Sequence, residues 1–485
     1  MYIGIDLGTS GVKAILMDKT GTITASSSQV LRVFSPKPLW SEQLPEDWWQ
    51  ATCQCLDQLS QQHDLSQVIA IGLAGQMHGA VLLNNKNQVL RPAILWNDGR
   101  CAEQCLTIES RVKNARAITK NIIMPGFTAP KLLWVKEYEP DIFKQIHTVL
   151  LPKDYLRYCL SGDYATDMSD ASGTCWLDVS NRCWSDTMLA ATGLTTAHMA
   201  KLYEGNEITG YLHHHLAKRW GMDKVALVAG AGDNAAGAIG VGITQSGQAM
   251  LSLGTSGVYF AVSDGCKSNT ACAVHSFCHA LPKSWHLMSV TLSAASCLQW
   301  YANNSGLKDV TALFDEVQAN TVLDDETLPY FLPYLTGERT PHNNPRATAS
   351  FVGLTASTSR AQMSLAVIQG VTMALADGMD ALHNAGLIPH TISLIGGGAQ
   401  SAFWRQLIAD VTQQQVNYCE GGEVGPALGA AKLAQLAMDK NSCIELLCPV
   451  PNLVQQHQPN PVLKTYYDNR RSKFRKLYSA LETSF

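Results

Sequence analysis

The sequence predicts an α/β protein made of two related halves, each built on a mixed sheet. Three observations carry that expectation. The hexapeptide Leu-Gly-Thr-Ser-Gly-Val occurs at 7–12 and again at 253–258 of 485 residues, about half a chain apart, and self-similarity at such a spacing marks a duplicated unit. Each copy sits between two apolar runs, 2–7 with 12–17 and 249–253 with 258–262, which is the pattern of a β-hairpin closed by a glycine turn. Strand and helix signals then follow in the order β-β-β-α-β, which makes a mixed sheet and not a simple βα alternation.

Taken in order, the first strands cover 2–7, 12–17 and 22–33. Pro45 opens a helix that carries Trp48, Trp49, Cys53 and Leu56 at helical spacing. Residues 68–73 read as a buried strand running into Ala74-Gly75-Gln76-Met77-His78-Gly79, followed by strands at 80–83 and 89–96 around an Asn-Lys-Asn turn. Residues 97–225 are mostly helical and irregular, and read as insertions that build a substrate side. A strand at 225–229 leads into GAGDNAAGAIGVG, 230–242, whose small residues let a helix pack very close to a neighbour. The boundary between halves is expected within 242–248. The second half repeats the plan with a hairpin at 249–262, a strand at 285–292, a helix near 293–303 and a long helix over 360–385. A strand at 391–395 runs into Gly396-Gly397-Gly398. After it come a helix with Trp404, Leu407, Ile408 and Val411 on one face, a small-residue helix at 426–437, and a basic surface helix over 469–478. No low-complexity linker separates the halves, so they are expected to be hinged closely.

Composition narrows the function classes. A hydrophobic content of 46% and a charged content of 16% fit a soluble globular protein, and a net charge of −4 gives no reason to expect nucleic acid or an acidic membrane as partner. No run approaches the ~18 apolar residues of a membrane span. The first strand begins at residue 2, leaving no room for a leader, so the expected location is the cytoplasm. The 14 cysteines are expected to be reduced. Cys272, His275, Cys278 and His279 do not have zinc-knuckle spacing, and strand alternation would turn His275 away from the two cysteines. His213, His214 and His215 read as a solvated face.

Four stretches carry chemistry. Either Gly-Thr-Ser-Gly turn alone could be a plain hairpin turn. Two copies, the first preceded by Asp6, point to phosphate cradles, because Gly-rich turns present backbone N–H groups and hydroxyls to an anion. Asp6 matters because a nucleotide arrives with Mg²⁺, which takes carboxylates and waters. Gly396–Gly398 ends a strand and opens a helix, where a phosphate can meet a helix N-terminus, or where the chain simply turns tightly. Residues 230–235 superficially match a dinucleotide pattern, but Asp233 near the helix N-terminus would repel a pyrophosphate. That same position favours an ionised carboxylate, which suits a base accepting a hydroxyl proton as well as an ordinary N-cap. No Walker A sequence is present, which argues against a P-loop enzyme.

These residues together resemble the FGGY family of carbohydrate kinases, within the actin, sugar-kinase and heat-shock ATPase superfamily. The resemblance runs over nearly the whole chain through IGIDLGTSGVK (3–13), GFTAPKLLW (126–134), LPKDYL (151–156), GAGDNAAGAIG (230–240), LSLGTSG (251–257), PYLTGERTP (333–341), LIGGGAQS (394–401) and GPALGAAKLA (425–434). It implies two ribonuclease-H-like domains around a central cleft: 1–245, carrying the sugar side and helical insertions, and 246–485, carrying the nucleotide side. By position it implies Asp233 as general base, Asp6 as the Mg²⁺ and phosphate aspartate with Asp233 beside the metal, and Met77, His78 and Asn234 as sugar contacts. On the nucleotide side it implies Thr9, Ser10, Lys13, Gly254, Thr255, Gly397, Gly398 and Ala399. Gln369 stands where the family often has Glu, and Ala402 where some relatives have a polar nucleotide contact. AGQMHGAVLL (74–83), ILWNDGR (94–100) and HSFCHAL (275–281) resemble the branch of the family that acts on D-xylulose. The implied partners are therefore a small sugar, ATP and Mg²⁺, and a homodimer is compatible with the resemblance. The rival readings are a kinase of glycerol, L-ribulose, gluconate or rhamnulose, an actin- or chaperone-type ATPase, and an inactive sugar sensor. The presence of both Asp6 and Asp233 argues against the last.

Overall fold

The structure is a computed structural model that describes residues 1–420, 425–439 and 441–485. Its first half is built on a six-stranded sheet. β1 (Tyr2–Leu7), β2 (Gly11–Met17) and β3 (Ile23–Val30) form an antiparallel meander, α1 (Pro45–Gln62) crosses back, and β4 (Ala70–Gly75) joins β1 in parallel. β5 (Ile208–Tyr211) is an antiparallel edge to β6 (Ala226–Gly232), which itself lies parallel to β4, giving the order β3-β2-β1-β4-β6-β5. The second half has a seven-stranded sheet of β7 (Gln248–Leu253), β8 (Gly257–Ser263), β9 (His275–Cys278), β10 (Trp285–Thr291), β11 (Thr391–Ile395), β12 (Val416–Cys419) and β13 (Leu453–His457), in the order β9-β10-β8-β7-β11-β12-β13. Leaving out β9, the two sheets have the same order and the same parallel and antiparallel pairings. The repeat seen in the sequence is thus a repeat of topology.

Local chemistry accounts for the main elements. β4 is buried along all six residues, because a central parallel strand is covered on both faces. One cover is α1, started by Pro45 and placing Trp48, Cys55, Leu56 and Leu59 against Ile3, Ile5, Leu16 and Leu73. In the second half, α7 (Arg360–His383) begins with a reciprocal cap between Ser359 and Gln362. It is apolar and long enough to cross a bilayer by composition, but 94% of that stretch is buried in the second core. The reading at 89–96 shortens to a bridge at Val89 and a strand at Ala93–Ile94, since Pro92 lacks an N–H for a ladder. The C-terminal helix, Lys464–Leu481, is not simply a surface helix: Tyr466, Tyr467, Arg470, Phe474 and Tyr478 are buried on one face of it. All 14 cysteines are unpaired.

One helix crosses between the halves. α4 (Asp233–Gly240) follows β6, and a later helix, Pro426–Met438, lies both on the first sheet and on α4 although it comes from the second half of the chain. Small residues make this contact backbone to backbone. A Cβ on Gly4 would fall 1.9 Å from the Ala427 carbonyl oxygen, one on Gly72 1.9 Å from that of Ala430, and one on Gly429 1.7 Å from that of Ala236. Lys432 then donates to the Gly240 carbonyl at the end of α4 (3.0 Å), and Gln435 to the Lys19 carbonyl (2.9 Å).

Gly429 tests this seam. Alanine would gain up to ~1 kcal/mol of helix propensity, but overpacking against fixed backbone costs ~1–3 kcal/mol or more. Gly429→Ala should therefore lower stability in urea unfolding, and a stabilised variant would show that the helices have room to part.

Candidate active site

The site is assembled where parallel strands end side by side. Leu7 of β1 is opposite Gly75 of β4, and Gly75 is opposite Gly232 of β6. Open sheets offer ligand crevices outside the carboxyl ends of such strands. Three sequence-identified groups gather there: Asp6 near the end of β1, the Gln76–Gly79 loop after β4, and Asp233-Asn234 after β6.

The loop is held in a strained shape. His78 has φ +70, and the Gly79 N–H reaches back to the Met77 carbonyl (2.9 Å), closing a three-residue turn of the rare, strained kind. The signature helix Thr128–Tyr138 supports it: the Thr128 hydroxyl (3.1 Å) and the Lys131 ammonium (2.9 Å) both donate to the His78 carbonyl. Lys131 is fully buried, and that burial lowers its ammonium to about 7. The His78 Nδ1 lies 2.8 Å from the Gly173 carbonyl, which can only accept, so Nδ1 carries the proton and Nε2 keeps its lone pair. Burial, followed by the Lys131 charge, pushes the imidazole well below its ordinary value and keeps it neutral. A Cβ at residue 173 would sit 2.2 Å from the His78 ring, so glycine there is what admits the histidine. Met77 packs over Gly232, next to Asp233.

Asp233 is the first residue of α4, and its Oδ1 accepts from the Asn234 backbone N–H (2.7 Å) and side-chain amide (2.9 Å). Burial raises its carboxyl to about 6 against those hydrogen bonds. Burial, and then the charge of Asp233, raises Asp6 to about 7, with Lys13 across the hairpin opposing. The Asp6 Oδ1 is buried with no hydrogen-bond partner among the described residues. Two neighbouring carboxylates, one with an orphan oxygen, gather ionisable acidic groups at this end of the sheet.

The first Gly-Thr-Ser-Gly turn is braced from below. Thr9 donates to Gln76 (3.0 Å) and accepts from the Trp96 indole (2.9 Å), while Gln76 donates to Gln43 (2.9 Å), which also takes the Trp48 indole (3.0 Å). The Thr9 hydroxyl is thus committed to protein partners, whereas Ser10 and Lys13 are exposed. In the second half, Gly254, Thr255, Gly397 and Gly398 line a cleft of about 1030 Å³ at the ends of β7 and β11. Ala399 is buried beneath it, its N–H bonded to the Gly396 carbonyl (3.0 Å). Ala402 lines the cleft, but Gln369 lies in the second core, donating to the Leu323 carbonyl (3.1 Å). The helix expected near 293–303 is Ala295–Asn304, and the sequence reading missed the next one, Val310–Asn320; together they bring Trp300, Asn303 and Phe314 into the cleft. Trp300 is 39% exposed there, a large exposed aromatic that an amphipathic reading alone cannot distinguish from core. Among the described residues, Cys272, His275, Cys278 and His279 form no metal cluster.

The family models for the N- and C-terminal domains of FGGY carbohydrate kinases match residues 1–240 and 249–438. The chain belongs to the FGGY family of carbohydrate kinases. This FGGY kinase is 58% identical over 483 residues to the xylulose kinase of Escherichia coli (strain K12), covering 99% of each chain. The crystal structure of a xylulose kinase from Brucella ovis is 42% identical, with a TM-score of 0.96 and full coverage of both chains. The Plasmodium falciparum glycerol kinase with ADP, 20% identical, shares the fold at a TM-score of 0.88 over 99% of this chain and 97% of its own.

Beneath the site of this FGGY kinase lies a buried ionic cluster. The Lys153 ammonium meets Asp154 (2.7 Å), Asp167 (2.7 Å) and Asp170 (3.2 Å), all at most 1% exposed in their side chains. Burial alone would lower Lys153, but the three carboxylates outweigh it and raise it. Asp167 also accepts from the Ser169 hydroxyl (2.5 Å), and that oxygen accepts the Gly232 N–H (3.1 Å) just before Asp233. Lys153→Met would leave buried carboxylates unpaired, so it should cost ~3–5 kcal/mol in urea unfolding. An unchanged midpoint would mean that the cluster is neutralised by other means.

Proposed function

We propose that this chain transfers the γ-phosphoryl group of ATP to the terminal hydroxyl of D-xylulose, forming D-xylulose 5-phosphate. The observation that carries the reading is Asp233 beside the Met77-His78 loop at the carboxyl ends of the first sheet, with the nucleotide-sized cleft at the matching ends of the second. The names of the relatives support the choice of sugar.

Phosphoryl transfer asks a protein mainly for positioning and charge stabilisation, plus a group to accept the hydroxyl proton. Asp233 supplies that group. At about 6 its carboxyl is ionised at neutral pH yet basic enough to share a hydroxyl proton. Asn234 fixes its orientation. His78 offers Nε2 as an acceptor to a sugar hydroxyl, and Met77 gives an adaptable apolar wall. Gly254, Thr255, Gly397 and Gly398 receive the nucleotide, with Ala399 bracing the turn. Ser10 and Lys13 face its phosphates, and Thr9 contributes through its backbone because its hydroxyl is already engaged.

The donor set fits Mg²⁺. That ion is held by one or two carboxylates, with waters and phosphates completing its shell, and the orphan Asp6 oxygen beside Asp233 provides such a seat. When bound, the ion would neutralise phosphate charge.

Activity over a panel of D-xylulose, glycerol, L-ribulose, gluconate and L-rhamnulose, read by ADP release, tests the assignment. D-Xylulose should have the highest kcat/KM, with little ADP released when no sugar is added. A higher kcat/KM for glycerol or L-ribulose would overturn the sugar, and sugar-independent ATP hydrolysis would overturn the kinase.

Asp233→Asn should lower kcat by ~10²–10⁴-fold while ATP still binds, since the variant keeps the shape and loses the base. In the unmodified enzyme the base is raised, so kcat/KM should fall as the pH drops through about 6 and not only near the ordinary carboxylate range. A flat profile between pH 7 and 5 would remove Asp233 from this role.

A further inference from the structure

Three residues from separate parts of the first half close a ring of hydrogen bonds. The Gln43 amide nitrogen donates to the Thr9 carbonyl (2.8 Å), the Gln76 amide nitrogen to the Gln43 side-chain oxygen (2.9 Å), and the Thr9 hydroxyl to the Gln76 side-chain oxygen (3.0 Å). Gln43 also donates to the Arg32 carbonyl (3.1 Å), and its oxygen takes the Trp48 indole (3.0 Å). The Trp96 indole donates to the Thr9 hydroxyl (2.9 Å). Gln43 and Gln76 are each 1% exposed, and Trp48 is fully buried.

One orientation of the two amides fits these partners. The indoles can only donate, and the Thr9 and Arg32 carbonyls can only accept. The Gln43 oxygen must therefore face Trp48, and its nitrogen the two carbonyls. Gln76 must then offer Gln43 its nitrogen and keep its oxygen for Thr9. The Thr9 hydroxyl, already receiving a proton from Trp96, gives its own to Gln76. All four hydrogen-bonding positions of the Gln43 amide are used. Turning either amide over would set donor against donor or oxygen against oxygen where no water can relieve it, so the ring is held in a single arrangement.

The ring joins two segments that face different ligands. Thr9 lies in the turn that also carries Ser10. Gln76 immediately precedes the Met77-His78 turn, and its N–H donates to the Leu7 carbonyl (2.7 Å). Gln43 sits in a short strand, Glu42–Gln43, paired with Ala93–Ile94, and reaches the turn and the loop through its side-chain amide.

We propose that Gln43 is a positioning residue: its amide locks the phosphate-facing turn to the start of the sugar loop, so that nucleotide and sugar bind with positive coupling. This rests on the sugar-kinase reading above. A nucleotide that orders the turn fixes Thr9, and through the ring it fixes Gln76 and the loop that follows. The sugar then meets a loop already in place, and by reciprocity a bound sugar favours the nucleotide to the same degree. The same lock sets the terminal hydroxyl against the phosphoryl group, where a misplacement of about 1 Å costs on the order of 10²-fold in rate.

The test measures D-xylulose binding by calorimetry, with and without the Mg²⁺ complex of the non-hydrolysable β,γ-imido analogue of ATP. It compares wild type with Gln43→Leu, Gln43→Glu and Trp48→Phe, and the melting temperature is recorded for each. Wild type should bind D-xylulose ~5–150-fold tighter when the analogue is present. Gln43→Leu removes every bond of the amide. Gln43→Glu keeps the oxygen that serves Trp48 and Gln76 but turns a second oxygen onto two carbonyls, and this isosteric variant decides the matter where the leucine variant does not fold. Both should reduce the enhancement to about twofold or less and lower kcat ~10–100-fold. Trp48→Phe removes a donor outside the ring, so it should lower the melting temperature yet keep the enhancement within about twofold of wild type. A folded Gln43 variant with the full enhancement would overturn the proposal. So would a wild type that shows none, or a Trp48→Phe variant that loses it as completely as the Gln43 variants, since lost stability would then be the cause. Failure of wild type to phosphorylate D-xylulose at all would instead sink the functional reading on which the proposal rests.

Discussion

The constraint on which the rest depends is the absence of side chains where the helix Pro426–Met438 meets the first sheet and α4. Gly4, Gly72 and Gly429 bring backbone directly onto backbone, and no β-carbon fits at any of the three. Close packing of this kind gathers many weak dispersion contacts and tolerates very little displacement. The helix touches β1, which carries Asp6, and α4, which begins with Asp233. A segment from late in the chain therefore sets the distance between the two carboxylates that define the site. The buried hydrogen bond from Lys432 to the end of α4 fixes the same helix along its axis.

That rigid frame explains how a strained loop survives at the site. A left-handed conformation at a histidine costs on the order of 1–3 kcal/mol, and it persists only where the surroundings over-determine it. Here the His78 carbonyl is held by Thr128 and Lys131, the ring by Gly173, and the loop between Met77 and Gly79 by its own turn. The result is an imidazole with one nitrogen committed and the other free, in a fixed direction. Preorganisation of this kind spares a binding site from ordering its acceptor when a ligand arrives.

Much of this was legible in the sequence, for identifiable reasons. The hairpins, the triple-glycine turn at 396–398 and the strand into Asp233 are local patterns, and local patterns survive folding. The crossing of the helix at Pro426–Met438 was legible only as composition: small residues announce a close neighbour but not which one. Thr9 looked like a phosphate ligand because it lies in a Gly-rich turn, yet its hydroxyl is claimed by Gln76 and Trp96, both far away in sequence. Trp300 and Phe314 sit on amphipathic helices whose pattern is the same whether a face meets core or a cleft. His275 read as an alternating strand residue, and nothing local shows that its strand reaches the wall of the first half's pocket. Asn121 fastens that strand, exchanging two hydrogen bonds with the Ser276 backbone (2.9 and 3.0 Å).

The buried charges separate into two kinds, and the separation locates function. Lys153 is surrounded by carboxylates, Arg157 donates to Thr209 and to the Val228 and Ala229 carbonyls, and Arg91 and Arg100 share Glu42. Each of these cations has protein partners, and removing a partner would leave its neighbour to bear the cost of burial. Asp6 and Asp233 differ. Asp6 keeps an orphan oxygen beside a second carboxylate. The deficit is negative and lies at the carboxyl ends of β1 and β6, where the proposed phosphoryl transfer would be placed. A single extended polyol lying from Asp233 to His78 would meet a carboxylate raised to about 6 at one end and the fixed Nε2 acceptor at the other, so the two ends of the pocket are chemically distinct and would give a substrate a direction.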